Sequence, residues 1–186
     1  MHPGGADVRL HLRRALHSPL IRKQYDYVLL DCPPRLSTAC VNALAASDYA
    51  LIPVLLDWTS AVSAPNLLRK LSRLRTGGLL APLGVLGVLA NRVRFFGGKL
   101  KSAEAAVWDE MRRPCQEAWG EPVHFFETTI KESAAVAEAV LRHTDGKVTH
   151  TFAAQKGELQ SAFAELADQV KARIDHDCRR LATVPS

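Results

Sequence analysis

The 186-residue chain has few aromatic side chains, 6% of the total, and only four cysteines. Cys32, Cys40, Cys115 and Cys178 share no C-x-x-C spacing, and the seven histidines do not cluster with them. That pattern argues against a zinc site and a disulfide framework, and reads as reduced thiols in a cytoplasmic protein. No apolar run approaches the roughly 20 residues that span a bilayer. Residues 1–16 (MHPGGADVRLHLRRAL) lack the apolar stretch of a secretory signal, so secretion is not expected. There is no internal repeat, low-complexity tract or linker. One domain over residues 1–186 is the expectation, with flexible ends at about 1–6 and 182–186. A strong charge of one sign is also missing. The 24 Lys and Arg against 19 Asp and Glu give +5 and a pI near 9.2, which permits contact with a polyanion without demanding it.

What is present is ordinary globular material, 47% hydrophobic and 23% charged. A chain of this length buries roughly 70% of the surface that its unfolded form exposes. Four apolar runs, 27–30 (YVLL), 49–56 (YALIPVLL), 84–90 (GVLGVLA) and 123–126 (VHFF), read as strands. None alternates strictly, as is usual for strands buried on both faces. Helical spacing covers 7–22, 37–46, 60–75, 102–119, 133–142 and about 155–181. Leu67, Leu68, Leu71 and Leu74 form one apolar stripe, and Leu159, Phe163, Leu166, Val170 and Ile174 another. Gly77-Gly78 suits a left-handed helix cap. The alternation predicts an α/β fold: three layers, with a mainly parallel sheet and helices on both faces.

Chemistry concentrates in YDYVLLDCPP, residues 25–34. Asp31 ends a predicted strand, where α/β folds bind ligands and where a carboxylate can hold Mg²⁺ directly or through water. By itself an Asp at a strand end is a weak pointer, because turn formation or helix capping explains most such residues. Pro33 and Pro34 remove two backbone donors and set the direction of the loop. Beside Asp31, Cys32 has no basic neighbour in sequence to lower its pKa, and the carboxylate raises it. It reads as a small apolar filler. Trp58, Trp108 and Trp119 read as helix-packing residues, and His124 as a strand imidazole.

The string YDYVLLDCPPRLSTACVNALAASDYALIPV resembles the switch II region and following strand of the ParA/MinD-type deviant-Walker P-loop ATPases, which partition chromosomes and plasmids or position division sites. GVLGVLANRV resembles the family's next strand, FFETTIKESAAVAEA its base-pocket segment, and LQSAFAELADQVKARI its closing helix. The resemblance runs from about Asp7 to Ile174. It implies ATP and Mg²⁺ as cofactors. Asp31 then organises Mg²⁺ through water, Pro33 and Pro34 shape the loop that senses the γ-phosphate, and Asn91 with Thr129, Ile130 and Lys131 holds adenine. Implied partners are a ParB-like centromere-binding protein, a second copy or a full-length ParA-like ATPase, and DNA weakly, in the cytoplasm or at the nucleoid and without a membrane.

The sequence departs from that family at several points. No G-x-x-x-x-G-K-[ST] occurs in the 186 residues, and Gly97-Gly98-Lys99-Leu100 reads as a loop. By the family's layout the chain resembles the C-terminal two-thirds of such an ATPase, so little hydrolysis is expected from it alone. The alternative is a non-enzymatic interaction or regulatory module that pairs with a full-length relative. The family's IPR reads Ile130-Lys131-Glu132, and positions that carry DNA-contacting Arg read Ala134, Ala135 and Val136. Remaining basic candidates are Arg92 with Arg94, Arg112 with Arg113, and the face of residues 69–75. The family also places its phosphate-loop strand between those matching 27–30 and 49–54. Self-association or marginal stability is the expectation for strands left without it.

Overall fold

The structure, a computed structural model, describes residues 10–33, 35–80, 83–96, 99–133 and 157–182. In place of one helix over 7–22 it has α1 (His11–Leu16) and α2 (Pro19–Gln24). The cause is Pro19. It holds Ser18 in an extended conformation (φ −65°, ψ 149°) and opens α2 at its first position. In α3 (Thr38–Ala46) the Ser37 hydroxyl caps the helix, accepting the Cys40 N–H at 3.3 Å, and Cys40, Ala43, Ala45 and Ala46 are buried. Arg13 reaches from α1 to the Ala45 carbonyl at 3.0 Å, satisfying an acceptor that the helix end leaves over.

β1 (Tyr49–Val54) is followed by α4 (Trp58–Thr76), whose start is capped by Asp57 accepting the Ser60 N–H at 2.7 Å. Leu68 and Leu71 of α4 are fully buried, as the stripe predicts, with Ala64 beside them one turn earlier. The predicted cap at its end is present. Gly78 has φ +80°, the Gly78 N–H donates to Arg75 O at 2.9 Å, and the Leu79 N–H donates to Leu74 O at 3.0 Å. Those two bonds make a Schellman closure, which only a residue tolerant of positive φ completes without strain.

β2 (Gly84–Val93) leads to a short antiparallel pair, β3 (Phe95–Phe96) and β4 (Lys99–Leu100), and then to α5 (Ser102–Trp119). β5 (Ile130–Lys131) and α6 (Glu158–Ala182) complete the described elements. The parallel sheet has the order β1-β2-β5. Val88 also bridges Phe125 in parallel, with the Val88 N–H donating to His124 O at 2.8 Å and the Phe126 N–H to Val88 O at 3.0 Å. Residues 123–126 therefore accompany β2 as expected, though only through this bridge. Gly87 permits the approach. A Cβ there would lie 2.7 Å from the Phe126 ring and 2.8 Å from His124 O.

Beyond the split at Pro19, the structure departs from the sequence expectations at further points. Residues 27–30 belong to no strand ladder among the described residues, and Leu29 is 94% exposed. Among the described residues no strand flanks them, so no sheet ladder pairs their backbone groups. β1 is not buried on both faces: Ile52 and Val54 are buried while Leu51 and Pro53 are exposed. β2, by contrast, is buried from Val85 to Ala90 without a break. On α6 only Leu166 of the predicted stripe is buried, and Phe163 is exposed. Ala182, expected in a flexible end, closes α6. Of the expected helix over 133–142 only Ser133 is described. Residues 1–6 and 183–186, Pro34, Gly97, Gly98, Ala134, Ala135 and Val136 lie outside the described residues.

Two compact units divide the chain. The first comprises Met1–Ala50 and Arg69–Val85, the second Leu51–Leu68 and Leu86–Ser186. Their charges differ. The first has 10 Lys and Arg against 4 Asp and Glu, a net +6, and the second 14 against 15, a net −1. No described helix is long and apolar enough to cross a membrane.

Candidate functional site

In the second unit the carboxyl end of β2 meets β5. Asn91 stands opposite Ile130 and Val93 opposite Lys131, so two steps on β2 answer one on β5. Arg92 is the additional residue of this bulge and takes φ +53°, the positive value that side chains avoid. Its backbone is turned by its neighbour: the Arg92 N–H donates to Asn91 Oδ1 at 3.0 Å. That bond uses one lone pair of the Asn91 amide oxygen. The other lone pair and the two Nδ2 protons make an acceptor beside a donor, the pattern that reads the N6 and N7 edge of adenine.

Of the residues expected around Asn91, Ile130 stands opposite it in the ladder, with Thr129 and Lys131 on either side of Ile130 in sequence. Ile130 is buried and Thr129 half-buried. Lys131, expected at the base pocket, is engaged instead with Glu158 of α6 by an ion pair and lies 4.9 Å above the Phe95 ring. Glu132 pairs with Arg92 at 3.0 Å. The two residues that replace the family's Pro-Arg thus form cross-element pairs, one to α6 and one to the bulge. Between these exposed groups such bridges contribute about 0–1 kcal/mol each, so they orient more than they stabilise. Behind them Thr128 is buried and accepts a hydrogen bond from Gln169 Nε2 of α6 at 2.8 Å.

Asp31 and Pro33 belong to the first unit. Both are exposed, and Cys32 between them is half-buried. The Cys32 thiol pKa is raised above its ordinary value, first by burial, then by the charge and hydrogen bond of Cys40, and least by Asp31. The carboxylate acts in the direction that the sequence suggests but is not the main cause.

Basic candidates separate clearly. Arg94 pairs with the buried Glu104 at 3.2 Å, Arg112 with Asp109 at 3.6 Å, and Arg113 with Glu117 at 2.7 Å. Arg112 also lies 4.8 Å over Phe125 and 5.5 Å over Trp108. With Arg92 on Glu132, these four side chains already serve intramolecular partners. The face of 69–75 falls in the unit that carries the positive excess, with Lys70 and Arg73 exposed.

Glu104, Thr128, Glu158 and the conformation of Arg92 escape the sequence reading. The first three are ordinary-looking helix or loop residues whose partners lie 10 to 41 positions away. A bulge leaves no sequence mark of its own.

Comparison with known proteins gives a consistent answer. A family model described as an AAA domain matches residues 5–78. The chromosome-partitioning ATPase Soj of Thermus thermophilus is 32% identical over 160 residues, 86% of this chain and 58% of that protein. The chromosome partitioning protein ParA of Caulobacter vibrioides is 36% identical over 78 residues, 42% of this chain and 29% of that protein. The chain thus spans little more than half the length of these relatives at most. Among solved structures, apo McdA of Cyanothece matches with TM-score 0.63 at 21% identity, over 89% of this chain and 59% of that one. At that identity the likeness shows the fold, an α/β arrangement of the P-loop NTPase kind.

Proposed function

This chain belongs to the ParA/MinD-type family of partition ATPases, matching part of their length, and on that premise we propose that it carries the base-recognition end of such an ATPase. The observation that supports this most is the register of Asn91 opposite Ile130, the residue between Thr129 and Lys131 in sequence. In this reading Asn91 takes the adenine edge and the buried Ile130 supports it from below. Lys131, held by Glu158 and Phe95, borders the pocket in place of a proline. The donor set fits adenine.

Asp31 is an exposed carboxylate and suits Mg²⁺, which takes one or two carboxylates and otherwise water and phosphate oxygens. Bound Mg²⁺ would neutralise phosphate charge, and Pro33 and Pro34 would limit the directions in which the Asp31 loop moves. The 186 residues contain no G-x-x-x-x-G-K-[ST]. Backbone N–H groups and a Lys to cradle a triphosphate are therefore not supplied by that motif, and Asp31 by itself repels the polyanion. We therefore assign these residues nucleotide recognition without efficient hydrolysis. The expected setting is the cytoplasm or nucleoid, with a ParB-like partner and non-specific DNA reached through the basic first unit.

One observation favours the alternative, a module that pairs with a second copy or with a full-length ParA-like ATPase. Within the second unit, Leu51 and Leu55 are exposed, with Trp58 at 67% and Val62 at 63% exposure. Large apolar side chains grouped in this way characterise association surfaces.

The test is nucleotide titration of the 186-residue chain with adenosine, ATP and GTP, together with steady-state phosphate release. Weak binding of adenosine and ATP in preference to GTP, lost in Asn91→Ala, with negligible release, is the expected result. Phosphate release that Asp31→Ala abolishes would overturn the assignment of recognition without hydrolysis. Equal binding of ATP and GTP would remove Asn91 from base recognition.

A further inference from the structure

The turn at the end of β2 is held from two sides. Arg92, at φ +53°, is the extra residue between the paired positions Asn91 and Val93. On one side its N–H donates to Asn91 Oδ1 at 3.0 Å. On the other, Glu132 engages the turn twice. Its carboxylate accepts from the Arg92 guanidinium at 3.0 Å, and its N–H donates to Val93 O, also at 3.0 Å. Glu132 follows directly on β5, so the neighbouring strand carries the residue that closes the turn. A side chain at positive φ is strained, and the strain persists only where surrounding groups hold it. An exposed ion pair shifts a local equilibrium by up to about fivefold, so the Glu132 carboxylate acts together with the Asn91 amide and the Val93 bond.

We propose that Glu132 is a positioning residue for base selectivity: by holding the Arg92 turn it fixes the Asn91 amide in the orientation that prefers adenine nucleosides to guanine nucleosides. The inference rests on the assignment of Asn91 to the adenine edge and deepens it, since Glu132 acts through Arg92. Only the amide oxygen accepts the Arg92 N–H, so while the turn persists Oδ1 and Nδ2 do not exchange places. The remaining acceptor and the donor are then presented in one order. Adenine offers an acceptor at N7 and a donor at N6, whereas guanine offers acceptors at both N7 and O6. A fixed amide matches both adenine groups and one of the guanine pair. An amide that turns freely must be ordered each time adenine binds, while guanine finds one partner in either order. Releasing the turn therefore narrows the preference without abolishing binding.

Exposure makes this selectivity sensitive to salt. The Arg92 and Glu132 side chains keep 64% and 44% of their surface in water, so added ions screen their attraction. Adenosine and guanosine are neutral, and salt has no ligand charge to screen. A change in their relative affinity with ionic strength then reports the protein.

The experiment titrates the full chain with adenosine and guanosine at about 50 mM and about 500 mM salt, beside NMR spectra of the isotope-labelled protein without nucleoside. The parent should prefer adenosine, and the preference should shrink by about threefold at high salt. Glu132→Gln and Arg92→Ala should each show the smaller preference at both salt concentrations, and the two together no further loss. Exchanging the signs of the pair, Arg92→Glu with Glu132→Arg, should restore the preference and its salt dependence. In the spectra of Glu132→Gln the Asn91 side-chain amide signals should move. The close approach of the Arg92 amide and α protons, which a positive φ gives, should weaken as well. Unmoved signals in Glu132→Gln, or a preference equal to the parent's, would overturn the proposal and leave Asn91 in its role. Moved signals in a protein whose parent form has no base preference would remove Asn91 from base recognition and the selectivity role of Glu132 with it, so the two failures are distinguished. The salt series on the parent needs no variant, and a preference that salt leaves unchanged would also overturn the proposal.

Discussion

Glu104, buried in the first turn of α5, accepts two hydrogen bonds from Arg94, one from its backbone N–H at 3.1 Å and one from its Nε at 3.2 Å. One carboxylate thereby holds the chain where it leaves β2, immediately after the residues at the Asn91 site.

Glu104→Ala should accordingly destabilise the fold by about 2–3 kcal/mol, since it removes charge-assisted bonds and leaves the Arg94 N–H without its partner. Equilibrium denaturation measures this directly. A loss below about 0.5 kcal/mol would show that water replaces the carboxylate without penalty.

Gly87→Ala should cost more than a typical core substitution, about 3 kcal/mol or above, or prevent folding. The added methyl meets the His124 carbonyl as well as the Phe126 ring, and backbone cannot move aside as a flexible side chain can. Gly78→Ala meets no neighbouring atom and is penalised only by its φ of +80°, so about 1–2 kcal/mol is expected. Comparing the two separates steric overlap from backbone strain.

Arg92 offers the reverse case. Arg92→Gly relieves the positive φ and loses the exposed ion pair to Glu132, whereas Arg92→Ala loses the pair and keeps the strain. The Gly variant should be the more stable by about 1 kcal/mol, read from denaturation midpoints at a common m-value. Equal stability would mean that the bulge relaxes in the variants.

The pKa of His124 is lowered, by burial first and then by Arg173, with Arg112 adding to the effect and Glu127 and Asp177 opposing it. The unfolded chain therefore binds a proton more readily than the folded one. Stability from this group is present above the unfolded value of about 6.5 and is lost as pH falls through the folded value. His124→Gln should flatten the decline in melting temperature between pH 7.5 and 5.5. An unchanged pH profile would show that other groups carry it.

Much of the scaffold was legible because local rules acted alone. α5 occupies the very span, 102–119, that its periodicity predicts, and Gly120 with φ +86° ends it. The Gly77-Gly78 cap and the apolar β2 were equally plain. Errors arose where tertiary context decided. Residues 27–30 have strand composition, yet a strand exists only with a partner. The break at Pro19 needed a proline rule that the apolar spacing of 7–22 obscured. Asn91 and Ile130 were placed at one site by family resemblance, while the pairing of Lys131 with Glu158 required α6 to come alongside β5. No periodicity encodes that approach.

Pro53 gives the open side of β1 a distinct character. Among the described residues β1 is an edge of the sheet, and Pro53 brings no N–H to it, so by the general preference of strand prolines the unpaired side is the one short of a donor. A strand added along that rim would have to bridge a missing rung, and the exposed Leu51 and Leu55 would hold it more than main-chain bonds could. Association there would be greasy and loosely registered, tuned by side-chain fit, and runaway stacking of copies edge to edge would meet a built-in interruption.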